Sequence, residues 1–146
     1  AVVRRTALRE GAEAGEAVVV VDTMGELVRV YALGSVVFVG GSLIRRGGHN
    51  ILEPSGLGKA VLFGPHTENF RLVAQALLAE GAARRVADAR ELERALRELL
   101  SNPQLASEMG RRARSLVERN QGATARTLDA IRPLLEKATE EGRTKR

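Results

Sequence analysis

Ser35-Val36-Val37-Phe38-Val39-Gly40-Gly41-Ser42 is the stretch on which the fold turns. Four consecutive apolar residues, three of them β-branched, describe a strand covered on both faces, and two glycines end it. Strands of this kind belong to parallel sheets, whose neighbours are joined by helical crossovers. Two further runs match it: Ala17 to Val21 upstream and Ala60 to Phe63 downstream. Both are expected to be buried on their two faces.

Helical signals fill the spaces between. After the stop at Asp22, Thr23 is positioned as the N-cap of a helix over Met24 to Leu33. Met24, Leu27, Val28 and Tyr31 recur at i, i+3, i+4 and i+7 and give that helix one apolar face. A short helix is expected near Leu52 to Leu57, and a turn at Gly64-Pro65-His66. A longer helix runs from Glu68 to Glu80, with Leu72, Ala76 and Leu77 directed inward. Ala83 to Val86 forms a last edge strand, and Asp88 caps the next helix. Leu92, Leu96 and Leu99 mark that helix, Leu105, Met109, Leu116 and Val117 a second, and Ala125, Leu128, Ile131 and Leu135 a third. The expectation is an α/β fold, a Rossmann-like parallel sheet flanked by helices, over residues 1–137, with a frayed basic tail over 138–146.

Composition narrows the function classes. The chain has 146 residues, room for one domain with a hydrophobic core. It opens on Ala1 and enters a strand-like run at once, as a segment of something longer would. No apolar run approaches the roughly 20 residues of a membrane span, so the segment is expected to be soluble. With no cysteine, disulfides and thiolate metal sites are excluded. His49 and His66 lack ligand partners at helical spacing, so no metal and no cofactor is expected. The net charge of +5 suits a phosphorylated ligand or an anionic surface. One tyrosine, three phenylalanines and no tryptophan provide no stacking platform for bases, so no nucleic-acid partner is expected.

In parallel sheets ligands bind outside the carboxyl ends of the strands. That rule selects three loops: Asp22 to Gly25, Gly40 to Glu53, and Gly64 to Asn69. Gly40 and Gly41 let backbone amides approach a phosphate, Ser42 carries a hydroxyl, and Arg45, Arg46 or His49 can neutralise charge. The plain alternative is a tight connection that holds nothing. Glu53, in the first turn of the short helix after Asn50, can accept hydrogen bonds from vicinal sugar hydroxyls. The plainer alternative is that it only stabilises that helix end, by about 0.3–1 kcal/mol, and the spacing from Gly40 favours the ligand. Gly25 permits close approach of a ligand, and Glu26 has the same helix-end alternative. For His66 the alternative is a turn residue. Nothing in the chain assembles a nucleophile with a base or a pair of catalytic carboxylates. It reads as a binding module, with no catalytic residue of its own.

Taken together, Asp22-Thr23-Met24-Gly25-Glu26-Leu27, Phe38-Val39-Gly40-Gly41-Ser42-Leu43, Gly47-Gly48-His49-Asn50, Leu52-Glu53-Pro54, Gly64-Pro65-His66 and Asn69-Phe70 resemble the 3-deoxy-D-manno-octulosonic acid (Kdo) transferases. The likeness continues more loosely to Gly122-Ala123-Thr124. It implies part of the C-terminal, donor-binding domain of a glycosyltransferase B fold, lacking that domain's first strand-helix unit. It implies inverting transfer of Kdo from CMP-Kdo to a lipid A precursor in lipopolysaccharide synthesis, without an essential metal. The residues matching the family's CMP site are Met24, Gly25, Glu26, Asn50, Ile51, Leu52 and Glu53, with Gly40, Gly41, Ser42, His49 and His66 in support. Ile51 stands where the family commonly has proline, a departure that should alter loop stiffness more than contacts. The acceptor-binding domain, with the general base and the membrane anchor, lies outside this chain, so the segment alone is expected to be inactive. The full protein is expected at the cytoplasmic face of the inner membrane. A UDP-sugar transferase or epimerase, or a non-catalytic nucleotide-binding module, remains the alternative reading.

Overall fold

The computed structural model describes residues 2–8, 18–122, 125 and 127–133. Among these residues the strands and principal helices follow one another as β1 (Val2–Arg4), β2 (Val18–Val20), α1 (Leu27–Leu33), β3 (Val36–Val39), α2 (Leu52–Gly56), β4 (Ala60–Phe63), α3 (Arg71–Ala79), β5 (Ala83–Arg85), α4 (Ala89–Ser101) and α5 (Pro103–Arg119). Every strand pairing is parallel. The strands form two sheets, β1-β2 and β3-β4-β5, where one sheet was expected.

The three-stranded sheet holds the core. Val36 pairs with Ala60 and Val39 with Phe63; Val61 pairs with Ala83 and Phe63 with Arg85. Side chains alternate across it, as the strand period requires. Val37, Val39, Val61 and Phe63 face α2, α3 and the later turns of α5 through Ile51, Leu77, Ala113 and Leu116. Ala60 and Leu62 face the other way, onto Leu99 of α4 and Ala106 and Met109 of α5. α5 thus crosses from one face to the other. It comes so close to the turn after α2 that a methyl on Gly110 would stand on the Gly58 carbonyl.

β2 departs from expectation. It is exposed along its length, Val18 to 64%, because no helix among the described residues covers either of its faces. α1 begins at Leu27, three residues later than its apolar spacing suggests. Gly25 has φ +82°, a left-handed backbone that a right-handed helix cannot contain. Met24 is therefore cut off from the apolar face and stands 97% exposed. Thr23 does not cap the helix backbone; its hydroxyl bonds the Glu26 carboxylate instead. Leu27 and Val28 are also exposed, and only Tyr31 of that stripe packs on the core.

A short 3-10 turn, Glu68–Phe70, precedes α3, so the α-helix proper starts at Arg71. The break rotates Leu72 away from the core to 77% exposure, while Leu77 remains buried as expected. Residues 127–133 are helical with Leu128 and Ile131 exposed. Leu135 and the tail over 138–146 lie outside the described residues, as does Ala17.

Asp88 caps α4 as its position suggests. Its Oδ1 accepts the Glu91 amide at 2.8 Å, and Glu91 Oε2 accepts the Ala87 amide at 2.7 Å. The pair satisfies the Glu91 amide, which the first helical turn leaves open, and ties down the chain entering the helix. Asp88→Ala is expected to cost about 1 kcal/mol and lower the melting temperature by about 2–4 °C. Circular dichroism melting checks it, with nucleotide binding unchanged because Asp88 lies outside the three loops at the strand ends.

Candidate functional site

The carboxyl ends of β3 and β4 point the same way because the strands are parallel. The loop leaving β3 spans residues 40–51 and the loop leaving β4 spans 64–67, and the two are stitched together by main-chain bonds. His66 N donates to Ser42 O at 2.9 Å, Asn69 N to Gly47 O at 3.2 Å, and within the first loop Gly48 N donates to Gly41 O at 3.2 Å. A side chain on Gly47 would collide with Asn69, whose Cγ lies 2.8 Å from where a Cβ would sit. The glycines of this stretch therefore allow two loops to touch. Close approach of loop to loop explains several of them as well as approach of a ligand would.

Ser42 belongs to that seam. It is 0% exposed. Its hydroxyl donates to Val39 O at 2.6 Å and accepts the Gly64 amide at 2.8 Å. The side chain locks the end of β3 to the end of β4, with no donor left for a phosphate. The hydroxyl thus has a structural role in this seam. The residue type was informative, but only the fold shows which way the hydroxyl turns.

Asn50 and Glu53 form the polar centre of the loop. Asn50 Oδ1 accepts the Leu52 amide at 2.9 Å, folding the segment into a side-chain-closed turn. Asn50 Nδ2 donates to Glu53 Oε1 at 2.9 Å. One carboxylate oxygen is held, and Oε2 has no protein partner among the described residues. Glu53 and Leu52 are exposed, whereas Ile51 between Asn50 and Leu52 is 1% exposed. The Ile51 side chain fills the core beneath the loop and has only backbone to offer a ligand. Any part it has in a ligand site is therefore limited to its main chain. α2 has five residues, so its dipole is small, and the carboxylate dominates the local electrostatics.

The loop after β2 presents the third group of residues. Asp22 accepts the Thr6 amide at 3.1 Å and the Thr6 hydroxyl at 2.8 Å. Those hydrogen bonds, the hydroxyl's first, hold its carboxyl below the ordinary aspartate range. Glu26 is held by the Thr23 hydroxyl and by Arg5 Nη2 at 3.4 Å. Gly25 and Met24 are both exposed, and a Cβ on Gly25 would meet no atom within 4 Å. Tyr31 of α1 connects this region to Glu53: burial first, and the Glu53 carboxylate second, raise its hydroxyl above the usual tyrosine range.

His49 is exposed, with its ring against Gly41. His66 is half-buried, its Nδ1 3.3 Å from Glu68 Oε1. The Glu68 amide first, and this His66 contact second, keep the Glu68 carboxyl below its ordinary value. The structure thus brings Gly40, Gly41, His49, Asn50, Leu52, Glu53 and His66 to one end of the sheet. Met24, Gly25 and Glu26 stand at the end of the separate β1-β2 sheet. Among the described residues no three histidine, aspartate or glutamate side chains gather to hold a metal ion. Nor is any helix among them long and apolar enough to cross a membrane.

No family model matches the chain. Individual proteins do. Over 111 residues the chain is 45% identical to the 3-deoxy-D-manno-octulosonic acid transferase of Bordetella pertussis, a match covering 75% of this chain and 26% of that protein. The transferase of the same description from Haemophilus influenzae is 37% identical over 121 residues, covering 82% and 28%. Both relatives are spanned over about a quarter of their length. Among solved structures, the C-terminal CMP-Kdo binding domain of WaaA from Acinetobacter baumannii superposes with a TM-score of 0.69 at 32% identity. That superposition covers 80% of this chain and 60% of the other.

Proposed function

We propose that this chain, which belongs to the family of 3-deoxy-D-manno-octulosonic acid transferases as a part of their C-terminal domain, holds the CMP-Kdo donor for transfer of Kdo to a lipid A precursor. The observation that carries the reading is the Asn50–Glu53 pair at the end of the three-stranded sheet. One carboxylate oxygen is fixed by Asn50 at 2.9 Å, and the other has no protein partner among the described residues. A carboxylate so aimed accepts hydrogen bonds from the vicinal hydroxyls of the cytidine ribose. Met24 supports the reading from the other sheet: a fully exposed apolar side chain at a strand end gains by packing on a nucleoside. Main-chain amides of the Gly40–Gly41 turn and the exposed His49 are available for the phosphate.

Within this scheme the chain binds and orients the donor. The general base that activates the acceptor hydroxyl, the acceptor site and the membrane contact belong to the remainder of the enzyme, working at the inner membrane. Calorimetric titration with CMP and UMP tests the donor assignment. CMP is expected to bind more tightly, and equal or better binding of UMP would overturn the reading. Asn50→Ala releases Glu53 without removing it. We expect about fivefold weaker CMP binding, the equivalent of roughly 1 kcal/mol for one orienting hydrogen bond. Unchanged affinity in the same titration would show that Asn50 has no positioning role.

A further inference from the structure

Arg84 and Arg85 are adjacent on β5 and therefore point to opposite faces of the sheet. Arg84 meets Glu98 of α4 with both terminal nitrogens, at 2.6 and 3.1 Å. Arg85, opposite Phe63 in the register, turns toward α3 and lines a cavity of about 250 Å³. Arg71, the first residue of α3, lines the same cavity, with Thr67 and Gln75. Neither Arg71 nor Arg85 has an acidic or hydrogen-bonding partner among the described residues. Several arginines of the long helices are engaged instead. Arg94, Arg97, Arg112, Arg114 and Arg119 each meet a glutamate. The one carboxylate on the cavity wall, Glu68, is engaged by His66.

We propose that this cavity is a second anion site, taking a single phosphate monoester group between the guanidinium groups of Arg71 and Arg85. Guanidinium presents paired N–H donors that match phosphate oxygens. The Thr67 hydroxyl does not cap the following turn, so it is free to donate with the Gln75 amide. Phe63, Ala74 and Leu78 give the cavity an apolar floor, which strengthens charge-assisted bonds above it. At about 250 Å³ the cavity suits a group the size of a phosphate better than a drug-sized ligand. The site shares the loop Gly64–Phe70 with the donor region but uses none of the residues assigned to CMP. It does not depend on that assignment.

A phosphate monoester reaches such a site either on a soluble sugar or on a lipid headgroup. NMR titration of the 146-residue chain with inorganic phosphate, then with a hexose 6-phosphate, reads the soluble source, against sodium chloride at equal ionic strength. Sedimentation with phosphatidylcholine vesicles containing phosphatidic acid reads the lipid source. Either source supports the site if Thr67, Gln75 and Arg85 amides respond and the Arg71→Gln, Arg85→Gln double variant binds at least about tenfold more weakly, with an unchanged melting temperature. Phosphate-specific shifts confined to other residues, or full binding by the double variant, would overturn the proposal. So would loss of CMP binding in the double variant, because the pocket would then be part of the donor site. Failure of the donor reading looks different: CMP leaves the Asn50 and Glu53 amides unmoved while phosphate still shifts Thr67.

Discussion

Replacing Gly64 by alanine is expected to lower the melting temperature by roughly 6–12 °C and to take nucleotide binding with it. Gly64 follows the last residue of β4 and is buried. A methyl there would stand on the Ser42 carbonyl and 2.6 Å from the Leu43 nitrogen. Both obstacles are main chain, so neither can swing aside. Overpacking against a rigid neighbour costs typically about 1–3 kcal/mol and sometimes more, and this geometry lies at the upper end. The displaced Ser42 carbonyl is also the acceptor of the His66 amide, so the seam between the two loops opens with it. Thermal melting and CMP titration of the variant measure both effects. A melting temperature within about 2 °C of the parent would mean that the seam absorbs a methyl, and the close approach at Gly64 would carry no such cost.

Glu53→Gln should separate binding from stability. The carboxylate is exposed in the free chain, and its contribution at the start of a five-residue helix is at most about 1 kcal/mol. Bound to a ribose it accepts charge-assisted hydrogen bonds, each contributing about 1.5–3 kcal/mol. The neutral amide retains one acceptor oxygen, so CMP affinity is expected to fall about a hundredfold. Parallel calorimetry and melting decide the matter. If stability falls as far as binding does, Glu53 is a helix-end residue and the donor reading loses its central contact.

The two variants divide along the line between what was legible in the residues and what was not. Asn50 and Glu53 stand out from type and spacing, although a carboxylate at the start of a helix also stabilises that end on its own. Ser42 is equally conspicuous in the sequence, yet its hydroxyl is turned inward between Val39 and Gly64. Direction is a property of the packed loop, and no local pattern encodes it. Ile51 shows the same limit: it belongs to the same motif as Asn50 and Glu53 but sits on the buried side of the turn. Arg71 and Arg85 are 14 positions apart in a chain rich in arginine, and only the β4-β5 register brings them to one cavity.

Apolar runs at the strand period and the helical stripes between them determined the alternating α/β order of this chain. The glycine, asparagine and glutamate of the loop after β3 mark the donor position that we propose. Those features act within a few residues, through backbone sterics and hydrogen bonds to near neighbours. Tertiary structure alone decided that β2 stands apart from the main sheet and that Met24 and Leu72 face solvent. It also decided that the glycines after β3 and β4 serve contact between loops. Each of these depends on which distant surface is there to pack against. A short sequence pattern specifies the face a residue prefers, and the packed chain determines whether that face is covered.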